Sequence, residues 1–436
     1  MTLQPVFVTD AVWEAPGDRN EWAGTSDSFP AYLCFKRASL LSTRLRFFVL
    51  GTFLTCWVLC AHGQSSAFQF LNKPGRYPVG LKVVEQFDSS RSYSAASGTS
   101  TGEGHRPLQT LIWYPSTPNQ QEPLTVEAYV RLADSETQFA RPDPATNKWR
   151  ARLQTAFHEK LRAVRDAEPA NGRYPVLIYA PSDSGVAWEN ADLCEYLASQ
   201  GYVVLASPSM GKATRDMTDD LEGINTQASD ISFLIGYAAS LPDANLEKVA
   251  VVSWSYGGIS SLFAAARDPR INALVALDGS QRYYPGLVQK AGDVHPEQMT
   301  LPMMFFMQGD ISLEALAQDD APAADRIGPS VLNAWGGDLY SIHMLGMSHP
   351  EFSSMSQRRK TEERYREDQI ADYDRADTNT GYALVARYAT NFLNWYLKRD
   401  PAAKAFLQAS PQVNGAPRHF MGVSFRPAQG GSSKKN

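Results

Sequence analysis

The segment VAVVSWSYGGIS, Val249 to Ser260, runs from mostly β-branched residues into Ser253-Trp254-Ser255-Tyr256-Gly257 and then directly into the helix-like ISSLFAAARD. A buried strand that must pass at once into a helix leaves the chain few solutions. The turn is a nucleophile elbow: the residues two before and two after the central serine must be small, and the central residue is held in a strained backbone conformation. Such a turn lifts the hydroxyl of Ser255 clear of the sheet. It also places Ser255 at a helix amino terminus, where the free amide of Tyr256 and the helix dipole face any oxyanion formed on a substrate carbonyl. Ser255 is the candidate nucleophile and the Tyr256 N–H a candidate oxyanion donor. The bland alternative is a serine-rich turn without chemistry.

From Tyr174 onward, short apolar runs alternate with amphipathic segments, which predicts an α/β fold with a mostly parallel central sheet and helices on both faces. The strands are read in PVLIYAP, YVVLASP, KVAVVSW, ALVALDG, MMFFMQG and DLYSIHML. The helices are read in WENADLCEYLASQ, DDLEGINTQASDISFLIGYAASL, GGISSLFAAARD, SLEALAQ and GYALVARYATNFLNWYLKRD. Upstream, YPVGLKVVEQFDSSR and LQTLIWYPST read as a hairpin. Between them and Tyr174 lies an insertion, residues 118–172, in which Trp149, Leu153, Phe157, Leu161 and Val164 fall on one face of an expected helix after the turn and cap of PDPATN.

A serine hydroxyl needs a base, and seven histidines are present. His62 lies in the apolar amino-terminal segment, His105, His158 and His295 in loops or the insertion, and His419 in the Pro-rich tail region. The loop after the last strand leaves His343 and His349. His343 sits inside DLYSIHML, where a half-buried structural histidine is expected, whereas His349 follows the strand in LGMSHPEFSS and is the expected base. For the acid, Asp278 ends one strand and Asp310 follows the next, and either suits the orientation of an imidazole. Each also suits a solvated cap of the following helix.

Composition narrows the partner. The formal charge of −5 and the absence of a Lys/Arg run exclude a broad basic field for nucleic acid or an anionic membrane, so a small molecule is expected. Residues 1–40 read as a leader of doubtful origin, with the true start expected near Leu41. Residues 41–63 read as a signal peptide for secretion or export to a periplasm: Arg44 and Arg46 precede an uncharged run from Phe47 to Ala61 that is short of a bilayer span, with cleavage expected after Gly63 and an uncleaved membrane anchor as the alternative. The mature domain is then 64–428, followed by a disordered tail, 429–436, with no membrane span left after cleavage. Of Cys34, Cys56, Cys60 and Cys194, only Cys194 would remain, as a core residue. No metal site is expected. The carboxylates Asp372, Asp374 and Asp377 of DYDRADTNTG lack an EF-hand pattern and read as a helix-capping turn.

The order Ser255, Asp278, His349 resembles the α/β-hydrolase superfamily, and within it the platelet-activating-factor acetylhydrolase and dienelactone-hydrolase-like branch. IWYPS, RYPVLIYAPSDSG, SWSYGG, ALDGS and SHPEFS carry the resemblance, which covers roughly residues 75–400. It implies that Ser255 is the nucleophile and His349 the base. In the acetylhydrolases the acid lies where Asp278 stands, and in dienelactone hydrolases one strand later, near Asp310; Asp278 is the better match. The second oxyanion donor is implied to be the amide of Asp183, or of its neighbour Ser182. Here the loop begins Pro181-Ser182 where the family usually reads His-Gly, and the Asp183 carboxylate must point away from a developing oxyanion. Tyr283, Tyr284 and Leu287, with Trp254 and Trp188, read either as the lining of a substrate pocket or as a buried flap without ligand contact. The resemblance implies a secreted serine hydrolase of carboxylic esters (lipid-like, short-chain or lactone) with no metal or organic cofactor. A peptidase or amidase on the same scaffold, or a non-catalytic binding protein, are the alternatives.

Overall fold

Ten strands carry the sequence's apolar runs: β1 Val79–Ser92, β2 His105–Pro115, β3 Ala163–Arg165, β4 Tyr174–Ala180, β5 Val203–Ala206, β6 Ala244–Trp254, β7 Ile271–Leu277, β8 Met303–Gln308, β9 Leu339–Met344 and β10 Met421–Arg426. They belong to a computed structural model, which describes residues 68–93, 104–309, 323–359 and 373–429. All of these lie in one compact unit, 62–436. The strands form a single sheet in the order β10-β9-β8-β7-β6-β4-β5-β2-β1-β3. From β5 through β4, β6, β7 and β8 to β9 every pairing is parallel. The β1–β2 hairpin joins β5 antiparallel, and β10 closes the other end antiparallel to β9.

Alternate residues of each central strand point to opposite faces, and both faces are covered. Leu177, Tyr179, Ala250, Val252, Ala273 and Val275 enter one core with helix α1, Ala191–Ser199, and the long helix α5, Arg375–Lys398. Val176, Ile178, Val249, Val251, Leu274 and Ala276 enter the other with α2, Leu221–Ala238, α3, Tyr256–Arg267, and α4, Pro285–Ala291. Burying each such aliphatic side chain contributes about 1.5–3 kcal/mol, so strands apolar on both faces belong at the centre. Local chemistry sets the helix starts. The Asp220 carboxylate accepts from the Glu222 and Gly223 amides ahead of α2. Asp374 and Asp377 form a reciprocal capping box at the start of α5. Two of the three carboxylates of DYDRADTNTG therefore cap a helix; Asp372 lies outside the described residues.

The insertion departs from the expected helix. Of the expected helical span only Trp149–Leu153 is α-helical, followed by a 3₁₀ turn over Gln154–Ala156, and Ala163–Arg165 is β3, paired in parallel with Val79–Leu81. The free edge of β1 offers ladder partners to Ala163–Arg165, and the Asp166 amide bonds the Leu81 carbonyl beyond it. Edge pairing satisfies these backbone groups while leaving Leu161 and Ala163 in the core, so tertiary contact overrides helical spacing. Residues 118–172 thus flank the sheet as a largely irregular segment, with a further short helix at Val126–Val130. Strand β10 was not read from the sequence. Cys194 is buried in α1 as expected.

No helix among the described residues is long and apolar enough to cross a membrane. The leader, the signal-like segment, SLEALAQ, Asp310 and the tail from residue 430 lie outside the described residues.

Candidate active site

At the end of β6 the backbone of Ser255 turns to φ 55°, ψ −125°, a conformation that a side-chain-bearing residue adopts only under constraint. Its amide donates to the carbonyl of Leu277 at the end of β7, and its own carbonyl accepts from the amides of Gly258 and Ser280. The small residues on either side are needed for space. Ser253 is buried. A Cβ on Gly257 would lie 2.2 Å from the Ala180 carbonyl oxygen and 2.5 Å from that of Pro181. The turn therefore presents the Ser255 hydroxyl above the carboxyl edge of the sheet.

His349 reaches that hydroxyl from the loop after β9. Its Nε2 lies 2.8 Å from Ser255 Oγ and its Nδ1 2.5 Å from Asp278 Oδ2. As a carboxylate Asp278 only accepts, so Nδ1 carries the proton and Nε2 is left to accept from the serine. The imidazole side chain is 36% exposed, whereas that of Asp278 is 0% exposed. Asp278 is thus shielded while the His349 imidazole stays open to solvent. Asp278 Oδ1 accepts from the Tyr283 hydroxyl at 2.6 Å and the Gln308 amide at 3.2 Å. The Gln308 side chain in turn accepts from the His349 amide at 3.0 Å. A capping box between Ser348 and Glu351 fixes the short turn that His349 begins. Trp254 Nε1 donates to the His349 carbonyl at 3.2 Å, and its ring lies 5.5 Å from the imidazole.

The sequence points to two amides as oxyanion donors, that of Tyr256 and that of Asp183 or its neighbour Ser182. Tyr256 opens α3, so its N–H has no partner within the helix. In the loop after β4 the Ser182 amide is already given to Glu189 Oε1 at 2.8 Å, which leaves that of Asp183 as the next donor along the chain. The Asp183 carboxylate accepts from the Ser184 hydroxyl at 3.1 Å. Loss of hydration and the nearby Asp219 push it above the usual carboxylate range.

The expected pocket residues divide. Trp254 and Tyr283 are buried and spend their polar atoms on His349 and Asp278, supporting the base and the acid. Tyr284 packs edge-on against Tyr256 with ring centres 6.1 Å apart, and Leu287 is core. Trp188 is wholly buried against Trp149, with ring centres 5.6 Å apart, so it faces the insertion and not a ligand. His343 is exposed on β9 instead of half-buried. Sequence reasoning missed Glu189, a fully buried acid that accepts from the Tyr179 hydroxyl, the Ser182 amide and the Ser182 hydroxyl. Burial pushes it up to about 7. Its only signal is a carboxylate placed among apolar residues in GVAWENADL. Among the described residues no three His, Cys, Asp or Glu side chains converge as a metal site.

Comparison with known proteins agrees with this architecture. The profile of the family described as X-Pro dipeptidyl-peptidase (S15 family) matches residues 104–413. A provisionally named carboxymethylenebutenolidase of Synechocystis sp. is 29% identical over 133 residues, covering 26% of this chain and 52% of that protein. The chain thus spans about half the length of this curated relative. The solved ferulic acid esterase of Streptomyces cinnamoneus superposes with a TM-score of 0.55 at 18% identity, over 83% of this chain and 99% of that one. The sheet, the elbow and this likeness are those of the α/β-hydrolase fold.

Proposed function

The chain belongs to the X-Pro dipeptidyl-peptidase (S15) family, and from that membership and the site's geometry we propose that it is a serine hydrolase cleaving carboxylic esters. The observation that carries the reading is the continuous chain from Ser255 Oγ to His349 Nε2 at 2.8 Å and from His349 Nδ1 to the buried Asp278 at 2.5 Å. Ser255 Oγ attacks the ester carbonyl while its proton passes to His349 Nε2. Asp278 stabilises the imidazolium, and the Tyr256 and Asp183 amides take the oxyanion. Collapse of the tetrahedral intermediate breaks the ester C–O bond, and His349 returns its proton to the leaving alcohol. Water then enters on the same base and releases the acid, regenerating the serine.

Ester chemistry is supported by the names of the two relatives, a ferulic acid esterase and a provisionally named carboxymethylenebutenolidase. The family's own description favours a second reading, cleavage of a peptide bond after an X-Pro pair, for which the same groups suffice. A panel of p-nitrophenyl esters of rising chain length, run beside Ala-Pro-p-nitroanilide, separates the two. Turnover of the esters with the anilide inert is expected. Preferential anilide cleavage would transfer the assignment to the peptidase, and neither activity would remove both. We further read residues 41–63 as an export signal, for which an exported protein beginning near Gln64 is the expected finding.

A further inference from the structure

The loop Pro181–Gly185, which carries the proposed second oxyanion donor, has no regular structure of its own. It is pinned from outside by Arg215, whose guanidinium donates to the carbonyls of Ser184 and Gly185, and by Gln227, which donates to the Pro181 carbonyl. From inside it is pinned by a single side chain. Glu189 Oε1 accepts from the Ser182 amide at 2.8 Å and the Tyr179 hydroxyl at 2.9 Å, while Oε2 accepts from the Ser182 hydroxyl at 2.7 Å. The loop closes over this carboxylate at a glycine: a Cβ on Gly185 would lie 2.6 Å from Glu189 Oε2.

The backbone of the same residue faces the base. The Glu189 carbonyl accepts from the Ser353 hydroxyl at 2.7 Å and the Met355 amide at 3.1 Å, just beyond the turn that His349 begins. One residue therefore joins strand β4, the oxyanion loop and the base-bearing segment. Among the described residues no cation is in hydrogen-bonding contact with its carboxylate. The titratable groups around it are Tyr179 on β4, Cys194 on α1 and His349 on the loop after β9.

We propose that Glu189 is a positioning residue for the oxyanion hole: by engaging the Ser182 amide it fixes the loop so that the Asp183 amide faces Ser255. This rests on the acyl-transfer reading above. With the carboxylate gone, the Ser182 amide is released and the loop loses the one side chain that, among the described residues, holds it from the inside. The donor then wanders although every reacting group is still present. The effect belongs in kcat, because an oxyanion exists only past the ground state.

The test uses the full chain with p-nitrophenyl acetate, in wild type, Glu189→Ala, Glu189→Gln and Ser182→Ala. For Glu189→Ala we expect kcat to fall about 100-fold with KM within about threefold, close to the loss of a whole oxyanion donor. For Glu189→Gln and Ser182→Ala, each of which keeps part of the clamp, about 3- to 30-fold is expected on the same scale. The pH profile supplies a readout that a merely structural role would not move. Glu189 is a full acceptor only when ionised, so wild-type kcat should lose a component as pH falls through about 7, and Glu189→Gln should lack that component. If Glu189→Ala does not fold, the other two variants decide. Folded Glu189→Gln and Ser182→Ala proteins with wild-type kcat and an unchanged profile would overturn the inference alone. A wild-type protein that neither hydrolyses the ester nor reacts with a fluorophosphonate would overturn it together with the acyl-transfer reading.

Discussion

The hydroxyl of Ser255 is set apart from those of its neighbours by backbone geometry. Ser253, two residues earlier, gives its hydroxyl to the Val275 carbonyl, and Ser261, one turn into α3, gives its own to the Gly257 carbonyl. Ser255 alone of the three faces an imidazole. Ser255→Ala should lower ester turnover about a millionfold, to the level left by binding and the oxyanion amides; loss of less than tenfold in a steady-state assay would contradict the role. Gly257→Ala forces a Cβ to within 2.2 Å of a backbone carbonyl. It should cost several kcal/mol in chemical denaturation, on the order of other overpacked backbone sites, and abolish activity with it. Tyr283→Phe removes the hydroxyl that shares the charge of Asp278. Losing a hydrogen bond to a charged group should lower kcat for an ester about 10-fold with KM little changed. An unchanged kcat would place Tyr283 outside the relay. Ser255 and His349 were legible because each follows a readable strand, whereas Asp278 and Asp310 suited the acid equally by position, and it is Asp278 that lies against the imidazole. Tyr283 and Glu189 were not legible, because their partners lie in other elements and no spacing encodes them. Trp188 was misread because an aromatic next to a site-forming loop packs against the insertion as readily as against a ligand.

At the scale of elements, strands and crossover helices were readable wherever apolar periodicity and packing agreed, as in β6 with α3. They diverged in residues 148–168, where of five apolar residues at helical spacing Trp149 and Leu153 enter a short helix, Val164 an edge strand, and Phe157 and Leu161 the irregular chain between. A free strand edge cannot be seen from the segment that will pair with it. Helix α1 is tied to this insertion by Glu195, whose carboxylate accepts from the Tyr129 hydroxyl and the Arg162 amide, both at 2.6 Å. Burial pushes Glu195 from its usual 4.5 to about 7. The folded chain therefore keeps a proton that the unfolded chain gives up. The stability Glu195 lends is whole below about 4.5 and falls as pH rises through about 7, by about 3 kcal/mol for a shift of that size. Urea titrations of wild type and Glu195→Gln should show the wild type losing that much relative to the variant between pH 4.5 and 8. Parallel profiles would mean that Glu195 titrates normally.

For the whole molecule, the sheet order explains why residues 94 positions apart meet. Parallel strands β6, β7 and β9 all end at the same edge, so Ser255 after β6, Asp278 after β7 and His349 after β9 converge there, as α/β sheets place their sites at the carboxyl ends of strands. From strand order, the elbow and the placement of the histidines, Ser255 and His349 were readable at this edge, whereas the acid stayed open between Asp278 and Asp310 and only the family resemblance favoured Asp278. The flanking edge strands β3 and β10, one in an insertion and one after the last long helix, were not readable, since each is defined by the neighbour it completes. Family membership and fold converge on hydrolytic chemistry at this edge. The most direct test is to treat the full chain with a fluorophosphonate and determine by mass spectrometry which tryptic peptide gains the phosphonyl group. One equivalent on Ser255, within the peptide 249–267, and sharply slower labelling in His349→Ala are expected. Ester turnover with that peptide unmodified would contradict the assignment.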